Sequence, residues 1–245
     1  MNTSTFVYQP HKIRVGELCH YLKTNIDGSY PEHIAQFMAA ENRLEVFKYH
    51  PGGSRAGLVV AEMDWETFSA HRLNSWQQFA EGEKQVVATL NYTAETKAVE
   101  VSIPMSGRPP ELTPIPFLPF HIYNFDLGSL NIAWRHLARP QTNFVVGIAD
   151  PTFSDGPFFA YKGEVTITYE GEVVRDGVAC WQYAIDGEGL EQRGGHIWVN
   201  QEQEYIQDME IDLPDNPDWD NFKLRLTGVE QMSQEEWEAF CHSQF

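Results

Sequence analysis

KGEVTITYEGEVV (162–174), RDG (175–177) and VACWQYAI (178–185) carry the reading on which the fold turns. The outer two runs are β-rich, and Arg175-Asp176-Gly177 between them supplies the positive-φ turn chemistry of a hairpin. Further runs at 195–200, 205–213 and 222–229 follow after short loops, so neighbours should pair. Upstream, 44–50, 57–65, 72–79, 85–92 and 98–103 repeat the pattern of short strands divided by turn-forming or charged residues. The last of these alternates cleanly, with Val99, Val101 and Ile103 inward and Glu100 and Ser102 outward. Some ten strands in antiparallel order should curl into a strongly curved sheet or half-barrel, because a flat sheet would leave long reactive edges. The expected fold is mainly β.

About three helices should cover that sheet. Ser29-Tyr30-Pro31-Glu32 reads as a capped helix start, and Ile34, Phe37 and Met38 share a helical face, predicting a helix over 30–40. Between 104 and 120, Pro104, Pro109, Pro110, Pro114, Pro116 and Pro119 forbid helix interior and central strand. With Ile115, Phe117, Leu118 and Phe120 this segment reads as a packed crossover within a single domain spanning 1–245. Leu127, Leu130, Trp134 and Leu137 predict a second helix over 126–137, with Asp126 or Ser129 as its cap. Ser233-Gln234-Glu235-Glu236 is a capping box opening a terminal helix to Cys241, with Trp237 and Phe240 inward.

The chain of 245 residues has 17 Lys and Arg against 35 Asp and Glu, a net charge of −18. That sign opposes nucleic acids and anionic membranes. No apolar run approaches a membrane span. Cys19, Cys180 and Cys241 are far apart and show no paired spacing, as expected of reduced thiols. The start MNTSTFVYQP (1–10) lacks a basic and apolar export segment, so the expected location is cytoplasmic.

Four segments of the C-terminal half carry a family resemblance: Gly163-Glu164-Val165 to Gly171-Glu172, Gly177-Val178-Ala179-Cys180-Trp181-Gln182-Tyr183, Gly195-His196-Ile197-Trp198-Val199-Asn200-Gln201-Glu202, and Ile206 to Glu210. Their strand rhythm resembles the meander of the lipoprotein-carrier fold shared by LolA, LolB and the violacein-pathway enzyme VioE. The resemblance spans residues 163–213 and is architectural. It implies a curved antiparallel sheet around an apolar cavity partly closed by helices, and no single activity, since the carriers move acyl chains while the enzyme rearranges an aromatic intermediate without a cofactor.

Glu62 and Asp64, two apart in one strand, point to one face and could serve as general acid and base, or lie on a solvated face. Leu58 and Val60 share that face; were they buried, at least one carboxylate would be buried with them and need a partner. Trp65 stands on the opposite face. His196, Trp198 and Asn200 also share a face, offering a proton shuttle, a stacking wall and an orienting amide, or else a hairpin exterior. Trp181 and Tyr183 project together with Ile185 beside them, as a ligand wall or an ordinary core. His121 and Tyr123 sit where the proline-rich segment meets the scaffold, a favoured place for binding and catalysis. Asp150, before Pro151, reads as a turn cap.

Dinucleotide, P-loop, nucleophile-elbow and zinc-hydrolase motifs are absent, so no cofactor is called for; the nine histidines show no ligand spacing, and a metal would need His71, His121, His136 and His196 to converge in space. The leading expectation is a cofactor-independent cyclase, isomerase or lyase, catalysed by Glu62, Asp64, His196 and His121 and binding a small hydrophobic or aromatic metabolite through Trp65, Tyr123, Trp181, Tyr183, Trp198 and Asn200. The rival is a non-catalytic intracellular carrier with the same lipocalin-like cavity, and a third class is an interaction protein with no pocket. A homo-oligomer is left open.

Overall fold

Alternating side chains extend through most of the chain, and the computed structural model, which describes residues 5–152 and 156–245, shows what they build. The elements in order are β1 (Glu17–Thr24), β2 (Glu32–Ala40), β3 (Arg43–Tyr49), β4 (Arg55–Asp64), β5 (Ser69–Phe79), β6 (Lys84–Thr93), β7 (Ala98–Ser102), β8 (Glu111–Pro114), β9 (Phe120–Ile122), α1 (Gly128–Trp134), β10 (Phe144–Pro151), β11 (Phe159–Arg175), β12 (Val178–Asp186), β13 (Gly195–Asn200), β14 (Ile206–Ile211), β15 (Phe222–Gln231) and α2 (Gln234–Ser243).

Among the described residues the strands form one sheet in the order β8 back to β1, then β15 back to β9. The first and last strands meet at its centre, where Leu22 faces Arg225. Neighbours pair antiparallel except β9 with β10. The sheet is mainly β, strongly curved and unclosed. Its two ends nevertheless approach: Thr113 Oγ1 donates to the Phe159 carbonyl at 2.9 Å, and the Phe158 N–H donates to Glu111 at 2.8 Å. Side-chain bonds of this kind cover edges that would otherwise invite pairing.

Each face carries a helix. On the inner face Tyr21, Ile34, Leu44, Val46 and Met63 pack with Leu127, just before α1, and with Leu130 and Trp134 of the helix in the larger core. On the outer face Leu18, Phe37, Phe47, Leu58 and Val60 lie under Trp237 and Cys241 of α2. The Trp237 indole stacks on Phe37 with centroids 5.0 Å apart. Taking roughly 200 Å² of indole out of water contributes on the order of 5 kcal/mol before ordering costs. Ser233 and Glu236 form both halves of a capping box at the start of this helix.

Several expectations are corrected. The segment expected to be a helix over 30–40 is strand β2, paired with β1 and β3. Ile34 and Met38 face the inner core while Phe37 faces α2, so burial on both sides hides the period of two. The proline-rich stretch contains strand β8 at the edge of the sheet, where proline's missing donor faces no partner. The second helix shrinks to Gly128–Trp134, and Asp126 does not cap it, since Leu127 occupies the cap position without a side-chain bond. Among the described residues two α-helices result instead of three. The reading of the N-terminus bears partly on residues 1–4, which lie outside the described residues.

Candidate functional site

Across the ladders of β4, β5 and β6, Val59 faces Ser75 and Ser75 faces Ala88. Small side chains at adjoining inner-face positions leave a hollow there. A cavity of about 330 Å³ occupies that hollow. Val59, Leu73, Leu90, Val101 and Ile103 form its sheet wall, and Ile122, Phe125, Phe158 and Phe159 close it from the other side. Lys48 and Asn124 provide the polar end.

Lys48 joins this cavity to a buried ionic cluster. Its ammonium lies 2.6 Å from Asp126 and donates to the Asn124 carbonyl at 2.6 Å. Behind it, Lys23, fully buried, pairs with Asp215 at 2.5 Å, Asp126 at 3.7 Å and Glu32 at 3.8 Å. Its ammonium also sits 3.9 Å from the centroid of the Trp219 ring. Burial works against the Lys48 ammonium, but Asp126, Asp215 and Glu32 together hold its pKa above the ordinary lysine value. Burial raises the Glu32 and Asp215 carboxyls, against the pull of both lysines. Asp150 is pushed up to about 8, first by burial and then by Asp215, although it accepts the Asn124 N–H. At neutral pH it is therefore mostly a protonated carboxyl. It accepts this bond from Asn124, in the segment joining β9 to α1, so the expected turn-capping role is corrected to a long-range one.

The sequence-nominated residues divide between the two faces. Tyr123 is buried and donates to the Leu213 carbonyl at 2.6 Å, while Tyr183 donates to the Pro140 carbonyl and meets Trp134 edge-on. Trp181 packs against the same inner core. His121 is also inside, its Nδ1 2.9 Å from Ser129 Oγ, and burial depresses its pKa to about 3. Trp65 donates to the Glu41 carbonyl and packs against His136 and Phe68. None of these five is among the residues lining the cavity. His196 is exposed and lies 3.4 Å from Glu170. Trp198, on the other face of its strand from Ile197, donates to Gln182 and lies under the Arg175 guanidinium. Asn200 accepts from the Glu202 and Gln203 amides and shapes the turn after β13.

The acid pair behaves differently from the sequence expectation. Leu58 and Val60 are buried by α2, yet Glu62 lies 3.4 Å from Arg72, both partly exposed, and Asp64 accepts from Glu66 N–H and Thr67 Oγ1 to close the β4–β5 turn. Neither carboxylate is buried with the aliphatics. Glu62→Gln and His196→Ala are accordingly expected to change stability by no more than ~0.5 kcal/mol each. Urea denaturation of the two variants checks this, and a loss above ~2 kcal/mol would assign them a buried role.

Lys23 and Lys48 escaped the sequence reading, although parity pointed to Lys48: with Leu44 and Val46 inward in β3, Lys48 follows at the next inward position. In the sequence Asp126 reads as a helix cap and Glu32 as half of a capping box. Asp215 lies in a loop without periodicity.

No protein-family profile and no curated protein matches the chain. Among solved structures, similarity is found to a DUF1329 family protein from Desulfovibrio piger, 8% identical, covering 90% of this chain and 88% of the other at a TM-score of 0.29. It is also found to a domain from Vibrio parahaemolyticus described as an outer membrane lipoprotein-sorting protein, 6% identical, covering 93% and 91% at a TM-score of 0.25. The description of the second coincides with the lipoprotein-carrier resemblance of residues 163–213. The cytoplasmic expectation is not kept beside that description. Cys19 and Cys180, in separate strands, and Cys241, in α2, are all free and buried. No helix is long and apolar enough to cross a membrane among the described residues.

Proposed function

We propose that this protein is a non-catalytic carrier or binding protein for a small hydrophobic molecule held in the cavity between β4–β7 and the Phe158-Phe159 segment. The observation that carries this reading is the cavity itself: about 330 Å³ with predominantly aliphatic and aromatic walls and one polar end. Such a lining suits an apolar body with a single polar group, oriented by Lys48 and Asn124. The cyclase, isomerase or lyase reading loses its support because Glu62, Asp64, His196 and His121 do not converge on the cavity.

The neutral fluorophore N-phenyl-1-naphthylamine tests the proposal. Wild-type protein is expected to enhance its emission saturably, with one site per chain. Ala88→Trp, which fills the hollow from its wall, is expected to weaken binding at least tenfold while the circular dichroism spectrum is kept. Unsaturable emission in the wild type, or full binding by a folded Ala88→Trp variant, would overturn it.

A further inference from the structure

The outer face holds a second cavity, of about 320 Å³, between α2 and the strands beneath it. Its walls include Leu58, Val60 and Trp76 from the sheet and Trp237 and Cys241 from the helix. Among these walls lies Gln78, only 1% exposed, whose side-chain nitrogen and oxygen both find no hydrogen-bond partner among the described residues. The remaining polar lining comes from Arg43, Glu45, Lys84, Gln234, Glu238 and His242; of these, Glu45 accepts the Trp237 indole N–H at 2.8 Å and pairs with Arg43 at 2.8 Å.

A buried amide with both functions idle is costly to the fold, because each group has lost its water without gaining a partner. One water cannot fill the space, since a water's share of liquid volume is about 30 Å³. The group that satisfies an amide best offers a donor and an acceptor side by side in one plane, as a cis-amide edge does. Leu58, Val60 and the tryptophans supply the apolar surface that a flat ring would cover.

We infer that the cavity beneath α2 binds a small planar heterocycle with a cyclic amide edge, of the lactam or pyrimidine type, read by the Gln78 side chain. The site is on the opposite face of the sheet from the proposed hydrophobic cavity and is independent of it.

The test uses 2-pyridone, which has the cis-amide edge, and N-methyl-2-pyridone, which has lost its donor. Binding is followed through ¹H–¹⁵N spectra of the full chain, reading the Gln78 side-chain amide and the Trp76 and Trp237 indole signals. 2-Pyridone is expected to shift all three saturably, and N-methyl-2-pyridone to bind at least tenfold more weakly. Gln78→Met, which keeps the side chain's length and removes its polar atoms, is expected to fold and to lose 2-pyridone binding to the same extent. No saturable shift with 2-pyridone would show a cavity filled by water alone and overturn the inference. Equal binding of the N-methylated compound, or retained binding by Gln78→Met, would also overturn it. The comparison of the two compounds on wild-type protein decides the matter even if the variant does not fold.

Discussion

Replacing Lys23 by methionine is expected to destabilise the protein by about 3–5 kcal/mol. Lys23 is completely buried and lies against Asp215, Asp126 and Glu32. With the ammonium gone, Asp215 and Asp126, whose side chains are both fully buried, would share only Lys48. An unpaired carboxylate held away from water is among the most expensive defects a core can carry. Methionine preserves the packing, so the loss reports charge and not volume. Urea denaturation at pH 7 measures it.

Two further measurements separate this account from a simple packing effect. Adding Asp215→Asn to Lys23→Met should recover part of the stability, since the second change removes one stranded charge. Lowering the pH should also narrow the gap between Lys23→Met and wild type, because Asp215, already raised by burial, can then take up a proton. A cost below ~1 kcal/mol, or a double variant less stable than the single one, would show that the cluster is solvated. The polar end of the proposed cavity would then be a wet surface, and the orienting role given to Lys48 would fail with it.

How far this arrangement could be read in advance depended on how many faces of each strand are buried. β7 was legible because Val99 and Val101 are buried while Glu100 is exposed, so the period of two appears in the residues themselves. The hairpin around Arg175-Asp176-Gly177 was legible for its turn chemistry, and Gly177 has φ 81°. β2 was not, because α2 covers one face and the inner core the other, leaving a continuous apolar run after a sequence that mimics a helix cap. β1 was missed for a related reason: Lys23 looks like a solvent-facing residue until Asp215, 192 positions away, is placed beside it. The cavity depends on small residues, Ser75 and Ala88, being opposite one another across a ladder, and register is a property of pairing that no local pattern displays. The nominated acids and imidazoles were conspicuous because their spacing was short, and short spacing along a strand says which face they share but not whether that face is wet.

Raising the pH from 5 to 8.5 is expected to weaken wild-type protein relative to an Asp150→Asn variant. Asp150 has a folded pKa raised to about 8 from an ordinary value of 3.8. Between those values the native state keeps a proton that the unfolded chain has released, so native protein binds more protons and its stability falls as pH rises. The contribution is fully present below pH 4 and declines by about 1.4 kcal/mol per pH unit up to the folded pKa, several kcal/mol across the window. Asparagine retains an oxygen for the Asn124 N–H, which Asp150 accepts at 2.7 Å, and does not titrate. Histidines and other carboxyls titrate in both proteins, so the difference between the two denaturation curves isolates position 150. A difference that stays constant from pH 5 to 8.5 would mean that Asp150 ionises as an ordinary carboxylate. The same measurement bears on binding, because Pro151 and Thr152, next in the chain, line the cavity. A neutral carboxyl beside them adds no charge to its rim, and N-phenyl-1-naphthylamine affinity should fall above pH 8 in wild type but not in Asp150→Asn, as ionisation of Asp150 makes the rim less hospitable to an apolar guest.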